Sequence, residues 1–154
     1  MRCIEVEKTL SLAGIKREEW DDDFNSGIHL KYDNLKVVEE SEINNIFNIY
    51  LKYYSENRLI GKSNLYIVDT DLSTMDISLK TVLPVIKKWY PHFMKFKTLE
   101  CGSFTGIGEG SALKTEEQYP DVLPLLAAEM DAISREKGID IQIIRDIPLH
   151  NYPQ

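Results

Sequence analysis

A helix-like segment that ends at a glycine, with a strand-like run directly after it, constrains the fold more than any other part of this sequence. Between Asp121 and Lys137, apolar residues recur at helical spacing. They are Val122, Leu125, Leu126, Met130 and Ile133. We predict Asp121 as the N-cap, Pro124 in the first turn, and Gly138 as the residue that ends the helix.

The run Ile139–Arg145 follows that glycine without a linker and is rich in isoleucine, which favours a strand. A second strand-like segment, Met94–Phe104, lies before the helix, with Leu99 and Cys101 on one face. Strand, crossover helix and strand in this order imply a parallel pair with a right-handed connection. The sequence therefore predicts an α/β fold with at least one parallel pair of strands.

The stretch from Asn44 to Tyr54 fits either a helical stripe or an alternating strand. We favour the strand because its residues are almost all β-branched or aromatic. A polar turn, Ser55–Arg58, then leads into a second strand-like run, Leu59–Val68. Two such runs joined by a short polar turn predict a β-hairpin.

Four weaker elements complete the prediction. Cys3–Glu7 is a strand candidate, and Lys16–Phe24 is a short charged helical turn anchored by Trp20. Ile28, Tyr32, Leu35 and Val38 lie on one face of a helix that ends near Glu40. A helix capped by Ser78 reaches Trp89, and Pro84 either kinks it or marks a late start.

Length and composition narrow the class of protein. The 154 residues fit a single domain, 1–154, with no repeat and no linker. Two cysteines, Cys3 and Cys101, are too few for a disulfide framework, and no apolar run approaches a membrane span. Met1–Leu10 also carries charges where a signal peptide needs an apolar stretch. We therefore expect a cytoplasmic protein without a membrane partner.

The charge is acidic overall but uneven. A formal net charge of −7 disfavours nucleic acid as a partner, because phosphate backbones draw their affinity from lysine and arginine. Ile77–Lys97 nevertheless holds five lysines and no acid. Such a local basic surface suits a cofactor phosphate or an acidic carrier domain. Spacing alone favours a solvated helix face instead.

The order of elements resembles the GNAT-type N-acyltransferase fold up to its fifth strand. The step Asn57–Gly61 is similar to the turn before that family's third strand, and Gly106–Gly110 follows the fourth strand, where the family places its pyrophosphate loop. A narrower resemblance is to the double-lobed, FemAB-like branch. The steps that carry it are Glu19-Trp20-Asp21, His29-Leu30, Glu39-Glu40-Ser41 and Tyr90-Pro91.

This resemblance implies a GNAT-like mixed sheet with helices on both faces and strands four and five as the parallel pair. It implies acyl-CoA or acetyl-CoA as co-substrate, no metal, and an amine as acceptor. Glu100 would be the general base, with a water-facing strand carboxylate as the alternative. The residues implied at the thioester are Leu99, Cys101, Ser103, Gly106, Gly108 and Gly110. For the three glycines, a flexible surface turn is the alternative.

Several other chemistries are disfavoured. Cys101 has no histidine partner in the sequence pattern, so a Cys-His nucleophile is rejected. His29, His92 and His150 have no ligand spacing, and Asp69-Thr70-Asp71 fits a capping loop better than a Mg²⁺ site.

The chain also departs from the GNAT pattern. It ends after strand five, short of that family's last helix and two strands. The alternative function is therefore a non-catalytic binding or assembly module, either one lobe of a larger protein or half of a homodimer.

Overall fold

The computed structural model describes residues 3–22, 24, 26–41, 46–71, 83–91, 93–104 and 108–146. Six strands and four α-helices lie in these ranges. In chain order they are β1 (Ile4–Thr9), α1 (Arg17–Trp20), α2 (Tyr32–Glu40), β2 (Phe47–Ser55), β3 (Arg58–Asp71), α3 (Leu83–Trp89), β4 (Lys95–Cys101), β5 (Ser111–Leu113), α4 (Tyr119–Lys137) and β6 (Ile141–Ile144). Short 3-10 turns span Leu12–Gly14, Ile28–Leu30 and Glu116–Gln118.

All six strands form one sheet in the order β1-β2-β3-β4-β6, with β5 also paired to β3. Every pairing is antiparallel except that of β4 with β6, which runs parallel from Thr98 opposite Ile141 to Cys101 opposite Ile144. Helix α4 connects these two strands. The mixed α/β class and the parallel pair predicted from the sequence are both confirmed.

Strands β4 and β5 lie along the same side of β3, one after the other. β4 pairs with β3 from Asp71 to Leu65, and β5 takes over from Ser63 to Gly61. Residues 102–104 and 108–110 lie outside the strands between them, and we call these residues the excursion. It departs where the pairing of β4 with β6 ends, so it lies at the carboxyl ends of the parallel strands.

Each face of the sheet packs against a different part of the chain. One face and α4 enclose the larger apolar cluster, whose buried members are Ile49, Leu51, Tyr53, Leu65, Ile67, Leu99, Cys101, Val122, Leu126, Met130 and Ile133. The other face is covered by the described segments between β1 and β2, including α1 and α2, which we call the N-terminal cover. There Leu12, Ile15, Trp20 and Leu35 pack around Tyr50 of β2. Helices thus lie on both faces of the sheet.

The hairpin prediction is confirmed, and the ambiguous stretch forms its first strand, which begins at Phe47. Asn44 and Asn45 lie outside the described residues. Glu56 and Asn57 have φ angles of 51° and 58°, as a two-residue turn between twisted strands requires.

The N-terminal strand, the helical turn around Trp20 and a helix that ends at Glu40 are also present. The helix begins only at Tyr32, however, and Ile28, predicted on its apolar face, lies in the preceding 3-10 turn and is 82% exposed. Helix α3 is described from Leu83 onward, and Ser78 lies outside the described residues.

The predicted start of α4 was wrong. The helix begins at Tyr119, so Asp121 lies inside the first turn and Pro124 lies within the helix. A capping box links Thr115 and Gln118 around the preceding 3-10 turn, whose end runs directly into α4. The end of the helix is as predicted, because Gly138 adopts the left-handed conformation with φ 64°. No helix in the described ranges is long and apolar enough to cross a membrane.

Candidate functional site

A small cavity lies at the carboxyl ends of β4 and β6, beneath the first turns of α4. Its volume is about 20 Å³, which is room for a single group the size of a water molecule. The lining residues are Cys101, Glu109, Gly110, Ser111, Tyr119, Leu123, Leu126, Ile144, Arg145 and Asp146. In open α/β sheets, ligands bind outside the carboxyl ends of parallel strands, so this cavity is the candidate site.

A chain of hydroxyl groups crosses the α4 face of the sheet and ends at this cavity. The Tyr53 phenol lies 3.1 Å from Ser63 Oγ, and Ser63 Oγ lies 2.7 Å from Ser111 Oγ. Ser111 Oγ is in turn 3.5 Å from Cys101 Sγ. Tyr53 and Ser63 are fully buried within the apolar cluster. Three adjacent strands and β5 therefore deliver a connected polar path to the cavity wall.

Cys101 contributes a neutral thiol to that wall. Burial raises the pKa of its thiol to about 11, because the apolar surroundings disfavour the thiolate. At neutral pH the sulfur is therefore protonated and a poor nucleophile.

Three hydrogen bonds within this chain hold the excursion in place. Ser103 N–H donates to the Gly108 carbonyl at 3.2 Å, and Gly108 N–H donates to Asp146 Oδ2 at 2.9 Å. His29 Nε2 donates to the Glu109 carbonyl at 2.7 Å, which assigns the ring hydrogen to that nitrogen. His29 before α2 and Asp146, two residues after β6, thus both fix the excursion beside the cavity.

Close packing explains why glycine stands at two positions of the excursion. A Cβ on Gly110 would lie 2.2 Å from Gly102 N and 2.4 Å from the Cys101 carbonyl carbon. A Cβ on Gly108 would lie 2.4 Å from the His29 ring. Both glycines therefore permit close approach of the protein to itself. Gly106, the third glycine predicted at the thioester, lies outside the described residues.

Glu100 points away from the cavity, because neighbouring residues of a strand face opposite sides of the sheet. Its Oε2 accepts a hydrogen bond from the Tyr66 phenol at 2.7 Å and one from Arg145 Nη1 at 3.2 Å. Arg145 also donates to the Tyr66 oxygen at 3.1 Å. Burial and the nearby carboxylate raise the pKa of Tyr66, so its phenol stays protonated. The predicted base is thus a tied carboxylate on the opposite face.

Of the residues predicted at the thioester, Cys101 and Gly110 line the cavity. Leu99 is buried in the cluster beneath α4, two residues before Cys101 on the same face of β4. Ser103 and Gly108 lie in the excursion. The sequence analysis missed Tyr53, Ser63, Ser111 and Tyr119. A signal existed for the serines, since each is a polar residue on the strand face that otherwise carries apolar side chains.

Two lysines of the predicted basic surface are bound to other groups of this chain. Lys87 binds Asp71 at 2.8 Å, and Lys97 Nζ donates to the Lys137 carbonyl at 3.4 Å. Lys80 lies outside the described residues. The same surface exposes large apolar side chains at Val85, Trp89, Tyr90 and Phe93.

Within the described ranges, no group of three or more His, Cys, Asp or Glu side chains is arranged to hold a metal ion. His29 is committed to the Glu109 carbonyl, and His92 and His150 lie outside those ranges. Asp71, one of the two aspartates considered for Mg²⁺, binds Lys87.

The sequence is similar to one curated protein, found in two strains of Mycobacterium tuberculosis, CDC 1551/Oshkosh and H37Rv. It carries the name "Putative 8-amino-7-oxononanoate synthase 2". The identity is 38% over 125 residues, which is 80% of this chain and 16% of the relative. No family model matches the sequence, and no solved structure matches it. The chain therefore spans about a sixth of the length of the curated relatives that it matches.

Proposed function

We propose that this chain is a GNAT-like acyltransferase-type domain that binds an acyl-CoA thioester at the cavity between β4 and β6. The observation that carries the proposal is the parallel pair, joined by α4, with a cavity at the carboxyl ends of its strands. That place is where open α/β sheets bind ligands. The thioester head enters the cavity, and the rest of the coenzyme lies outside it.

The size of the cavity supports a short acyl group. A volume of about 20 Å³ admits one group, the carbonyl oxygen of the thioester, and leaves no room beside it for an acyl chain. The wall opposite the strands is formed by Leu123 and Leu126 of α4, and Leu126 is 2% exposed. A long acyl chain would have to displace this packed helix. Acetyl is therefore the acyl group that we propose.

The positions of Cys101 and Glu100 on opposite faces of the sheet support an amine acceptor near Glu100. Cys101 lines the cavity from the α4 face, and Glu100, the next residue back, lies on the opposite face. An amine that reaches the thioester past the end of β4 would meet the Glu100 carboxylate, which takes its proton. The nitrogen–carbon bond forms, the carbon–sulfur bond breaks, and the coenzyme A thiolate leaves and takes up that proton. The protein then acts mainly by holding thioester and amine in line and by polarising the carbonyl.

The similar mycobacterial protein adds support of a limited kind. It is named a synthase, which is a bond-forming enzyme, and the shared segment covers most of this chain. We propose that the shared segment contributes a binding or transfer step within such an enzyme.

Binding of acetyl-CoA is the direct test. We expect calorimetry to give a dissociation constant between micromolar and millimolar for acetyl-CoA, with much weaker binding of a long-chain acyl-CoA. Leu123→Trp, which fills the cavity, should abolish the heat. Leu125→Trp is the matched control, because Leu125 lies two residues along α4 and does not line the cavity. No heat or thermal shift with wild-type protein at millimolar acetyl-CoA would remove the proposal.

A second candidate is a non-catalytic binding or assembly module. It is favoured by the match to only 16% of the relatives, in which the segment is one part of a much longer chain. Light scattering tests this candidate, and a strictly monomeric protein would argue against half of a homodimer. Saturable acetyl-CoA binding without transfer to any amine would favour the module over the enzyme.

A further inference from the structure

The hydroxyl chain that ends at the cavity has a direction. Tyr53 OH, Ser63 Oγ and Ser111 Oγ follow one another at 3.1 and 2.7 Å, and Cys101 Sγ lies 3.5 Å beyond. Each group has a single hydrogen to donate. The position of that hydrogen at one end of the chain therefore sets its position at every following group.

Tyr53 sets the direction. Its side chain is 0% exposed and lies within the apolar cluster, and in the described part of the chain Ser63 is the hydrogen-bond partner of its phenol. A buried phenol that keeps its hydrogen needs an acceptor for it, because an unpaired buried donor is costly. Burial also raises the pKa of Tyr53 above its usual range, so the phenol holds its hydrogen. Tyr53 therefore donates to Ser63.

The remaining hydrogens follow. Ser63 accepts from Tyr53 and donates to Ser111, which faces it across the β3–β5 pair. Ser111 then accepts from Ser63 and turns its own hydrogen toward Cys101 and the cavity that both residues line. The sulfur is a weak acceptor at 3.5 Å, so this hydrogen is only loosely engaged.

We propose that Ser111 donates a hydrogen bond to the carbonyl oxygen of a bound thioester, and that Tyr53 is a positioning residue that directs this hydrogen through Ser63. The identity of the ligand rests on the proposed function above. A carbonyl oxygen is a far better acceptor than a thiol sulfur, and the cavity holds one group of that size. At a cavity walled on one side by Leu123 and Leu126, a preorganised donor both orients the carbonyl and polarises it.

The test compares acetyl-CoA with S-ethyl-CoA, a thioether in which a methylene replaces the carbonyl. Wild-type protein should bind acetyl-CoA about 5- to 10-fold more tightly, the effect of one hydrogen bond. Ser111→Ala should reduce this ratio to within about 2-fold of unity, and Ser111→Thr, which keeps the hydroxyl, should restore most of it. Tyr53→Phe should lower the ratio without touching the ligand, because Ser63 and Ser111 can then reverse direction.

Ser134→Ala is the matched control. Ser134 is another α4-side serine with a buried oxygen, and it does not line the cavity. Its substitution should leave the ratio unchanged, since a purely structural effect alters stability and affinity for both ligands alike. A ratio that stays at the wild-type value in both Ser111→Ala and Tyr53→Phe would overturn the role of Ser111 while leaving thioester binding intact. Equal affinity of wild-type protein for both ligands would overturn it too. If neither ligand binds wild-type protein, the proposed function fails and this inference fails with it.

Discussion

The two faces of the sheet are built on different principles. The face under α4 is apolar throughout, apart from the hydroxyl chain, and is held by the area of packed side chains. The face under the N-terminal cover buries polar side chains instead. They are Asn48, Lys52, Lys62, Asn64, Thr98 and the phenol-bearing Tyr66. Burying a polar group stabilises a fold only when the group finds a hydrogen-bond partner. The second face therefore depends on the geometry of its hydrogen bonds, whereas the first depends on the apolar surface area that it buries.

Lys62 is the centre of the polar face. Its side chain is 0% exposed, and its ammonium donates to the Trp20 carbonyl at 2.6 Å. The same nitrogen lies 5.1 Å from the Trp20 ring and 4.9 Å from the Phe24 ring, within reach of cation–π attraction. Trp20 Nε1 in turn donates to the Leu30 carbonyl at 2.8 Å. A cover with only short helices is thereby fixed to the sheet through its own backbone carbonyls.

The largest expected effect is the loss of Trp20. Trp20→Ala should cost about 4 kcal/mol of unfolding free energy, since it removes a fully buried ring and its hydrogen bond. Trp20→Phe keeps much of the ring but leaves the Leu30 carbonyl with only the more distant Lys62 ammonium, at 3.4 Å, as its donor, and should still cost about 1 kcal/mol. Urea unfolding followed by circular dichroism measures both. A cost of nearly zero for Trp20→Phe would show that buried area, not hydrogen-bond geometry, holds this face too.

The matching test on the apolar face uses Leu126. Leu126→Ala should cost about 3 kcal/mol, because α4 cannot collapse fully into the cavity left behind. Leu126→Met conserves volume and should cost less than about 1.5 kcal/mol. The same urea series provides the measurement. The contrast between the faces would disappear if the methionine variant were as destabilised as the alanine variant.

The excursion offers a third comparison, between two of its glycines. Gly110→Ala places a Cβ against fixed backbone of Cys101 and Gly102, and should cost about 2 kcal/mol. The atoms nearest to a Cβ on Gly108 belong to the His29 ring, a side chain that can shift at the cost of its hydrogen bond to the Glu109 carbonyl, so Gly108→Ala should cost less. Thermal melts of the two variants side by side decide the order, and a larger loss at Gly108 would contradict it.

The smallest effect is a dependence on pH that belongs to Lys62. Burial lowers the pKa of its ammonium to about 8 in the folded protein, while the unfolded chain keeps the ordinary value of about 10.5. Between these values the unfolded state binds more protons, so the lysine makes stability rise with pH. From pH 7.5 to 9.5, wild-type protein should gain about 1–2 kcal/mol relative to Lys62→Met.

Urea midpoints of the two proteins across that range test this prediction. The range stops below the ordinary pKa of tyrosine, where the raised pKa values of Tyr50 and Tyr66 begin to act in the opposite direction. Lys36→Met, at an exposed ion pair with Glu40, is the control and should leave the slope as in wild-type protein. A flat difference between wild-type protein and Lys62→Met would mean that the buried ammonium is not destabilised.

The sequence predicted the apolar face well, because burial against a helix leaves a periodic record. The stripe of α4, the stop at Gly138 and the parallel β4–β6 pair all follow from such patterns. The polar face has no such pattern in the sequence. Lys62 and Asn64 alternate along β3, and alternating polar residues are expected equally on a face covered by water and on one covered by protein. Strand β5 was missed because three residues are too short for a pattern. Cys101 and Gly110 of the site came from the resemblance, whereas Ser111 depends on a register that only coordinates give.

One consequence follows from the way β3 carries two partners in succession. The excursion leaves and rejoins the same edge, with Gly110 against the backbone of Cys101 and Gly102 and its carbonyl accepting from Asn64 N–H at 2.8 Å. The contacts of Gly110 with Cys101, Gly102 and Asn64 thus fix both ends of the segment. Lengthening a loop twofold costs only about 0.6 kcal/mol in closure entropy. A change in the number of residues between these two ends would therefore cost little closure entropy, while the pairings of β4 and β5 with β3 hold the strands on either side.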